Sequence, residues 1–186
     1  MREETIELVL GGGKIKVKIQ SFEEKDRVYL RKLYDLWRAL CMGMERFKAR
    51  KINLPEGISE PAFCIAFNTN CVRVLNVSGG SGSFDVLDRS TGKRIQVKAT
   101  SVENELTSFG PRSVWDELYF LDFYRDGKFD GTFVVYKIPN DLVYNHKVNA
   151  TQTFRDQQAQ KRRPRFSIKK EIISPHKIKP ERTCKI

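Results

Sequence analysis

The chain has 186 residues, of which 34 are Lys or Arg and 23 are Asp or Glu, so its formal net charge is +11. Hydrophobic residues make up 40% of the chain, which is normal for a globular domain, and this length suffices for one core rather than two. The charge favours a polyanionic partner, nucleic acid first, with an anionic membrane surface or simple solubility as the alternatives.

The cysteines and the N-terminus exclude several classes of protein. Four cysteines, Cys41, Cys64, Cys71 and Cys184, form no C-x-x-C pair and have no His at ligand spacing, so neither a zinc site nor a disulfide framework is indicated. The N-terminal segment MREETIELVL is too short and too charged for a signal peptide, and no run is long enough to span a bilayer. We expect a soluble, cytoplasmic protein with no membrane partner.

The first fifty residues predict a hairpin followed by a helix. Residues 5–10 and 14–19 alternate in polarity around three glycines, which predicts a β-hairpin within residues 1–20. The segment Ser21-Phe22-Glu23-Glu24 fits a capping box, which predicts a long amphipathic helix within residues 21–50. The apolar residues that recur there at helical spacing are Val28, Leu30, Leu33, Leu36, Leu40 and Met44. Trp37, Leu40 and the rest of this helix are our candidates for contact with a partner protein.

A second helix and a strand precede the segment that suggests chemistry. Ser59 is a plausible N-cap and Pro61 would lie near the first turn of the helix. Residues 71–77 predict a strand, and the Gly/Ser run at 78–83 predicts a bulge or a close approach of the backbone.

The segment SGSFDVLDRSTGKRIQVKATS predicts two strands joined by a polar turn. If Asp88 lies opposite Lys93, pairing along the ladder places Asp85 opposite Gln96 on one face. Lys98 shares that face because strand side chains alternate with period two, whereas Asp88 points the other way. A carboxylate, an amide oxygen and an ammonium on one face suit Mg²⁺-assisted phosphodiester hydrolysis, although a solvated surface hairpin would have the same pattern.

The rest of the chain mixes strands and helices. Residues 114–118 predict a helical turn, 119–124 and 132–138 predict strands, and Pro139-Asn140-Asp141 predicts a helix start. The expected fold is therefore a single α/β domain with a mixed central β-sheet flanked by helices.

The C-terminal segment, residues 155–186, is basic and interrupted by prolines. It either tracks DNA phosphates or is a solvated tail, and its residues Phe166, Ile168, Ile172 and Ile173 favour at least one packed strand. Our candidates for DNA contact here are Lys161, Arg162, Arg163 and Arg165. Ser108, Arg112 and Ser113, beside the Gly110-Pro111 turn, are further candidates.

Glu60 on a helix, Asp85 on the next strand and Gln96-Val97-Lys98 on its hairpin partner resemble the PD-(D/E)xK nuclease superfamily. The segments FDVLDRSTGKRIQVKATS, SFGPRSVWDELYFLDF and NLPEGISE, within residues 53–138, resemble a narrower group of small type II restriction endonucleases. A chain of this length also resembles the small catalytic subunit of a heterodimeric type IIS restriction endonuclease. The resemblance implies a restriction-endonuclease-like fold, double-stranded DNA as substrate, Mg²⁺ as cofactor and the cytoplasm of a bacterium.

The resemblance also assigns roles to residues. Asp85 would be the central metal ligand, Lys98 the catalytic lysine and Glu60 an upstream helical carboxylate, with the main-chain carbonyl of Val97 as a further ligand. Gln96 stands where the family usually has Glu or Asp, so one negative charge is missing there. Glu60 has another interpretation, as an acidic residue that complements the dipole at a helix N-terminus.

Several functional alternatives stay open at this point. One nuclease domain, with residues 53–138 as its catalytic core, would cut one strand and need a second site from a larger partner subunit or from another copy of this chain. A homodimeric restriction enzyme, a structure-specific nuclease of the junction-resolvase type and a non-catalytic DNA-binding module with a decayed site are the alternatives.

Overall fold

A computed structural model of the chain describes residues 1–10, 13–49, 51–67, 70–77 and 83–186. The fold is a single α/β domain built on an eight-stranded mixed sheet, which confirms the expected fold class. The strands of this sheet are β1 (Arg2–Leu10), β2 (Gly13–Ser21), β3 (Cys71–Val77), β4 (Val86–Asp88), β5 (Arg94–Thr100), β7 (Glu117–Asp122), β8 (Thr132–Ile138) and β10 (Arg182–Lys185). They are ordered β1-β2-β3-β4-β5-β7-β8-β10, and β6 (Thr107–Ser108) pairs with β9 (Arg165–Phe166) in a separate ribbon.

The N-terminal hairpin is confirmed, and both strands are longer than predicted. Its register runs from Arg2 opposite Ser21 to Leu10 opposite Gly13. Val17 and Ile19 are buried, so the hairpin is packed against the rest of the molecule. The predicted glycine turn at residues 11 and 12 and the Gly/Ser run at 78–82 lie outside the described residues.

The long helix α1 spans Asp26–Arg46, but the predicted capping box is wrong. Ser21 ends β2 and its hydroxyl donates to the Arg2 carbonyl at 3.3 Å, so the sheet takes the residue that we expected to cap the helix. The Asp26 carboxylate accepts the Glu23 N–H at 2.9 Å instead.

Only some of the apolar residues of α1 enter the core. The buried residues are Leu30, Tyr34, Trp37 and Cys41, spaced as one helix face. Leu36 and Leu40, which belong to the predicted apolar face, are 67% and 55% exposed. Trp37 is 6% exposed, so its predicted role in partner contact is wrong, whereas Leu40 is accessible for such a contact.

Helix α2 spans Glu56–Ala66 and starts earlier than predicted. Pro55 occupies the N-cap position, and its carbonyl accepts the N–H groups of Ile58 and Ser59 at 2.9 and 3.2 Å. Ser59 is therefore inside the helix rather than its N-cap, and Pro61 lies in the second turn. The helix is buried from Ile58 to Cys64, because it packs between α1 and the central sheet.

The predicted helical turn at 114–118 is also wrong. The Asp116 carboxylate accepts the Arg94 N–H at 2.8 Å, and β7 begins at the next residue as a parallel neighbour of β5. The Trp115 indole donates to Asn140 at 2.8 Å, which ties this segment to the start of the short helix α3 (Asn140–Tyr144).

The C-terminal segment is part of the core, so the solvated-tail interpretation is wrong. It contains helix α4 (Phe154–Ala159), strand β9, a π-helical turn (Lys169–Ile173) and strand β10. Its apolar residues Phe166, Ile168, Ile172 and Ile173, together with Phe154 at the start of α4, pack with Phe109, Trp115 and Phe120. Ile172 and Ile173 lie on the π-helical turn and not on a strand. In the described part of the chain, no helix has the length and apolar character needed to cross a bilayer.

Candidate active site

The β4–β5 hairpin has the register that the sequence predicts. Val86 lies opposite Ile95 and Leu87 opposite Arg94, and the Asp88 N–H donates to the Lys93 carbonyl at 3.0 Å. At the other end of β4, the Asp85 N–H donates to the Ile95 carbonyl at 3.0 Å. Asp85 therefore lies beside Gln96, immediately before β4.

The Asp85 carboxylate is held by the neighbouring strand. Its Oδ2 accepts the main-chain N–H of Val97 at 2.9 Å and contacts the side-chain amide of Gln96. Burial raises the pKa of Asp85 above its usual value, although the Lys98 ammonium and the Val97 N–H act in the opposite direction.

Asp88 is engaged in the turn of the same hairpin, as expected for the weaker candidate. Its carboxylate accepts hydrogen bonds from the Ser90 N–H and hydroxyl at 2.9 and 2.6 Å and from the Thr91 hydroxyl at 2.8 Å. Partial burial would raise the pKa of Asp88, but these hydrogen bonds outweigh that effect and hold the pKa below its usual value. Asp88 therefore stabilises the turn.

Gln96 is the most deeply buried side chain of this group, at 2% exposure. Its Nε2 contacts Asp85, and its Oε1 is buried without a hydrogen-bond partner among the described residues. An unpaired buried amide oxygen is costly, so this atom is suited to a further ligand.

Glu60 projects from α2 toward the hairpin and is 7% exposed. Burial and the charge of Asp85 raise its pKa to about 7, although the Arg73 guanidinium opposes both effects. Glu60 is the fifth residue of α2, beyond the first turn, so complementing the helix dipole does not explain its position.

Arg73 and Glu56 belong to this group and are not indicated by the sequence motifs. Arg73 Nε donates to Glu60 Oε2 at 2.6 Å, and Glu56 lies one helical turn before Glu60. Arg73 is on β3 opposite Val86, the residue after Asp85. The one available signal is a basic residue inside the otherwise apolar start of a strand, CVRV.

Lys98 lies two residues beyond Gln96 on β5 and is partly buried. Its ammonium lies 5.4 Å from the centroid of the Phe109 ring. Its charge favours the ionised form of Asp85, which indicates that the two side chains are close.

Two clefts flank the hairpin. A cleft of about 360 Å³ is lined by Glu56, Glu60, Arg73 and Asp85, among others. A second, of about 550 Å³, is lined by Lys98, by Lys51 and Asn53, and by the loop at residues 102–108. Asp85 and Lys98 therefore each line a solvent-accessible cavity.

The oxygen donors at this site suit a hard cation. Asp85, Glu60, the Gln96 amide oxygen and the Val97 carbonyl offer oxygen atoms, which Mg²⁺ prefers. The described residues contain no group of three or more His, Cys, Asp or Glu side chains arranged for a metal ion. The available set is therefore the Asp85 and Glu60 carboxylates, the unpaired Gln96 amide oxygen and the Val97 carbonyl, and Arg73 already neutralises the charge of Glu60.

The turn predicted to contact DNA lies next to Asp85. The Ser113 N–H donates to the Gly110 carbonyl at 3.2 Å, and the Ser83 N–H donates to the Arg112 carbonyl at 3.2 Å. Arg112 is exposed, whereas Ser113 is 4% exposed and its hydroxyl lies 3.3 Å from that of Ser83. Contact of either residue with DNA stays a prediction.

The basic C-terminal residues lie beside this turn. Arg165 pairs with Ser108, the Phe109 N–H donates to the Pro164 carbonyl at 3.0 Å, and Gln158 Nε2 donates to the Ser113 carbonyl at 2.9 Å. All four predicted DNA contacts, Lys161, Arg162, Arg163 and Arg165, are exposed. The fold thus brings the two predicted DNA-contact segments together.

Comparison with known proteins identifies the class as type II site-specific deoxyribonucleases. Residues 22–175 match the model of the Bsp6I restriction endonuclease family, and the chain belongs to this family. The type II restriction enzyme Bsp6I from Bacillus sp. (strain RFL6) is 38% identical over 167 residues, which cover 88% of each chain. No solved structure matches the chain. All the candidate site residues lie within the matched range.

Proposed function

We propose that the chain hydrolyses DNA phosphodiester bonds with Mg²⁺ at a site formed by α2 and the β4–β5 hairpin. Asp85, Glu60, Gln96 and the Val97 carbonyl would hold the metal, and Lys98 would be the catalytic lysine. The observation that carries the proposal is that Asp85 and Glu60 line one cleft, where burial and the charge of Asp85 raise the pKa of Glu60. Two desolvated acids that repel each other favour a bound cation.

The metal ion would acidify the attacking water and neutralise charge on the phosphate. Asp85 is pre-positioned for metal binding by the Val97 N–H, so the carboxylate needs little rearrangement. Lys98 would orient the attacking water or take its proton. The expected products carry a 5′-phosphate and a 3′-hydroxyl, as the resemblance implies.

These roles correspond to the PD-(D/E)xK pattern with Gln96 in place of its second acid. The replacement removes one negative charge from the site, and Glu60 would supply it from α2. The Gln96 oxygen without a partner supports this assignment, because a cation would satisfy it.

Double-stranded DNA would lie across the hairpin and the basic surface beside it. Arg112 and the exposed residues Lys161, Arg162, Arg163 and Arg165 would contact phosphates, since Lys and Arg on a surface next to the site provide sequence-independent affinity. Ser113 would support the turn that presents Arg112.

Each active site would cut one strand, so a double-strand break needs a second site. That site would come from a larger partner subunit, or from another copy of this chain in a homodimer. The exposed face of α1, with Leu36 and Leu40, and Phe47 directly after the helix support a protein contact because these large apolar side chains are more than half exposed. The compartment would be the bacterial cytoplasm, where the DNA substrate is.

A second candidate function is DNA binding by a decayed site. It is favoured by the same Gln96 and by the small number of carboxylates around it among the described residues. Membership of a restriction endonuclease family weighs against it, and against a junction-specific nuclease.

Plasmid cleavage tests the proposal. The chain, alone and mixed with a candidate larger subunit, is incubated with supercoiled DNA in Mg²⁺ or EDTA, beside Asp85→Ala and the matched variant Asp88→Ala. We expect Mg²⁺-dependent cutting that Asp85→Ala abolishes and Asp88→Ala retains. Salt-sensitive DNA binding without cutting under any condition would favour the decayed site instead.

A further inference from the structure

Arg73 is paired with Glu60, and both side chains line the cleft that Asp85 also lines. Its Nε lies 2.6 Å from Glu60 Oε2, and the two side chains are 19% and 10% exposed. An ion pair with so little solvent around it is screened weakly, so it influences any other cation that approaches the same carboxylate. No metal role assigned above includes Arg73.

We propose that the Arg73 guanidinium is a placeholder cation that a divalent metal ion must displace from Glu60. The proposal rests on the metal site proposed above and adds a competitor to it. A guanidinium and a divalent cation cannot both take Glu60 Oε2 at contact distance without strong repulsion.

The strand geometry keeps Arg73 at this place. Arg73 is on β3 opposite Val86, and the Val74 N–H donates to the Asp85 carbonyl at 2.8 Å, so β3 is hydrogen-bonded to the segment that carries Asp85. In the metal-free protein the guanidinium compensates a carboxylate that α2 would otherwise bury unpaired, at high cost. Helix α2 can therefore pack before the metal binds.

The displaced side chain has a place to go. Arg73, Asp85 and Ser83 line the same cleft of about 360 Å³, which is open to solvent. A guanidinium released there stays beside the proposed position of the DNA phosphate, an anion that its planar fork suits.

Direct metal binding without DNA tests the competition. Titration calorimetry with Mg²⁺ and Mn²⁺ compares the wild type, Arg73→Gln, Arg73→Lys and the matched control Arg125→Gln, which removes an arginine of similar exposure from its ion pair with Asp130. We expect Arg73→Gln to bind metal about tenfold more tightly, and Arg73→Lys and Arg125→Gln to resemble the wild type. Equal or weaker binding by Arg73→Gln would overturn the proposal.

A measurement on the wild type avoids dependence on a folded variant. The ¹⁵Nε resonance of Arg73 is followed by NMR during a Mg²⁺ titration, and we expect its hydrogen-bonded shift and its protection from exchange to disappear on saturation. An unchanged resonance at saturation would refute displacement. Asp85→Asn separates the two claims: if it binds metal as the wild type does, the proposed metal site itself is wrong; if it does not bind metal while Arg73→Gln gains nothing, only the competition is wrong.

Discussion

Glu60 is an acidic residue of the site whose ionisation depends strongly on its surroundings. Burial and Asp85 raise its pKa from 4.5 to about 7, so between these values the folded protein holds a proton that the unfolded chain releases. The contribution of Glu60 to the free energy of unfolding of the metal-free protein therefore falls as pH rises through this window.

We predict that this fall amounts to about 3 kcal/mol between pH 4.5 and pH 7.5. Chemical denaturation in EDTA, measured across this range for the wild type and Glu60→Gln, should show a smaller slope for the variant. Removing the carboxylate also leaves Arg73 without its partner. The resulting change in the free energy of unfolding does not vary with pH, because Arg does not titrate in this range. Parallel curves would contradict the burial of an ionisable Glu60.

Gln96 determines how much negative charge the site offers a metal. We predict that Gln96→Glu binds Mg²⁺ about tenfold more tightly than the wild type, because it adds a carboxylate next to Asp85. The same variant should be less stable in EDTA, since the new charge is buried without a cation. Calorimetry and denaturation measure both effects, and Gln96→Ala is the control for removing the oxygen. If Glu at this position leaves metal affinity unchanged, Gln96 is not a ligand.

At the scale of elements, the hairpin was predictable because its register follows from a local turn. Asp88 opposite Lys93 fixes Asp85 beside Gln96, and nothing distant is needed. The same holds for the N-terminal hairpin. Glu60 and Arg73 are different, because their contact depends on how α2 packs on β3, which no local pattern contains.

Helix starts were the least predictable feature of the elements. Ser21 and Ser59 both have the residue type of an N-cap, yet the sheet engages Ser21 and the Pro55 carbonyl begins α2 before Ser59. The buried and the exposed apolar residues of α1 both recur at helical spacing, so periodicity does not tell which set is buried. Tertiary packing decides these cases.

The basic C-terminal segment should contribute affinity without sequence preference. We predict that replacing Lys161, Arg162, Arg163 and Arg165 with Gln weakens DNA binding and reduces the slope of log K against log salt by about one unit for each phosphate that is no longer neutralised. Four exposed residues outside this segment, Lys14, Lys32, Arg46 and Lys48, serve as the matched control set when replaced in the same way. Equal effects of the two sets would mean that net charge alone binds DNA.

The terminal strand should be a structural element rather than an appendage. Ile186 is 7% exposed and packs in the main core, and Arg182 donates to the Ala66 carbonyl at 3.0 Å. We predict that Ile186→Ala lowers the free energy of unfolding by about 2 kcal/mol, whereas the exposed control Val28→Ala changes it by less than about 0.5 kcal/mol. Denaturant unfolding measures both, and an unaffected Ile186→Ala would show that the strand is not docked in solution.

At the scale of the whole molecule, the question is how one site yields a break in both strands. The outer face of α1 is opposite to the helix face that packs on the core, so it can bind a partner without disturbing the fold. We predict that Leu36→Glu with Leu40→Glu reduces linear product from a plasmid at least tenfold while leaving the melting temperature unchanged. The control is Val9→Glu, on a residue of the N-terminal hairpin that is 71% exposed. Undiminished linear product would exclude α1 as the contact.

The central claim is that α2 and the β4–β5 hairpin hold a divalent metal ion, and it can be tested without DNA or a partner. Fe²⁺ is bound in place of Mg²⁺, and peroxide then generates radicals that cut the polypeptide next to the metal. We predict backbone cuts near Glu60, Asp85 and Gln96 that disappear in Asp85→Asn and persist in Asp88→Asn. Cuts elsewhere in the chain, or a pattern that Asp85→Asn leaves unchanged, would contradict the claim.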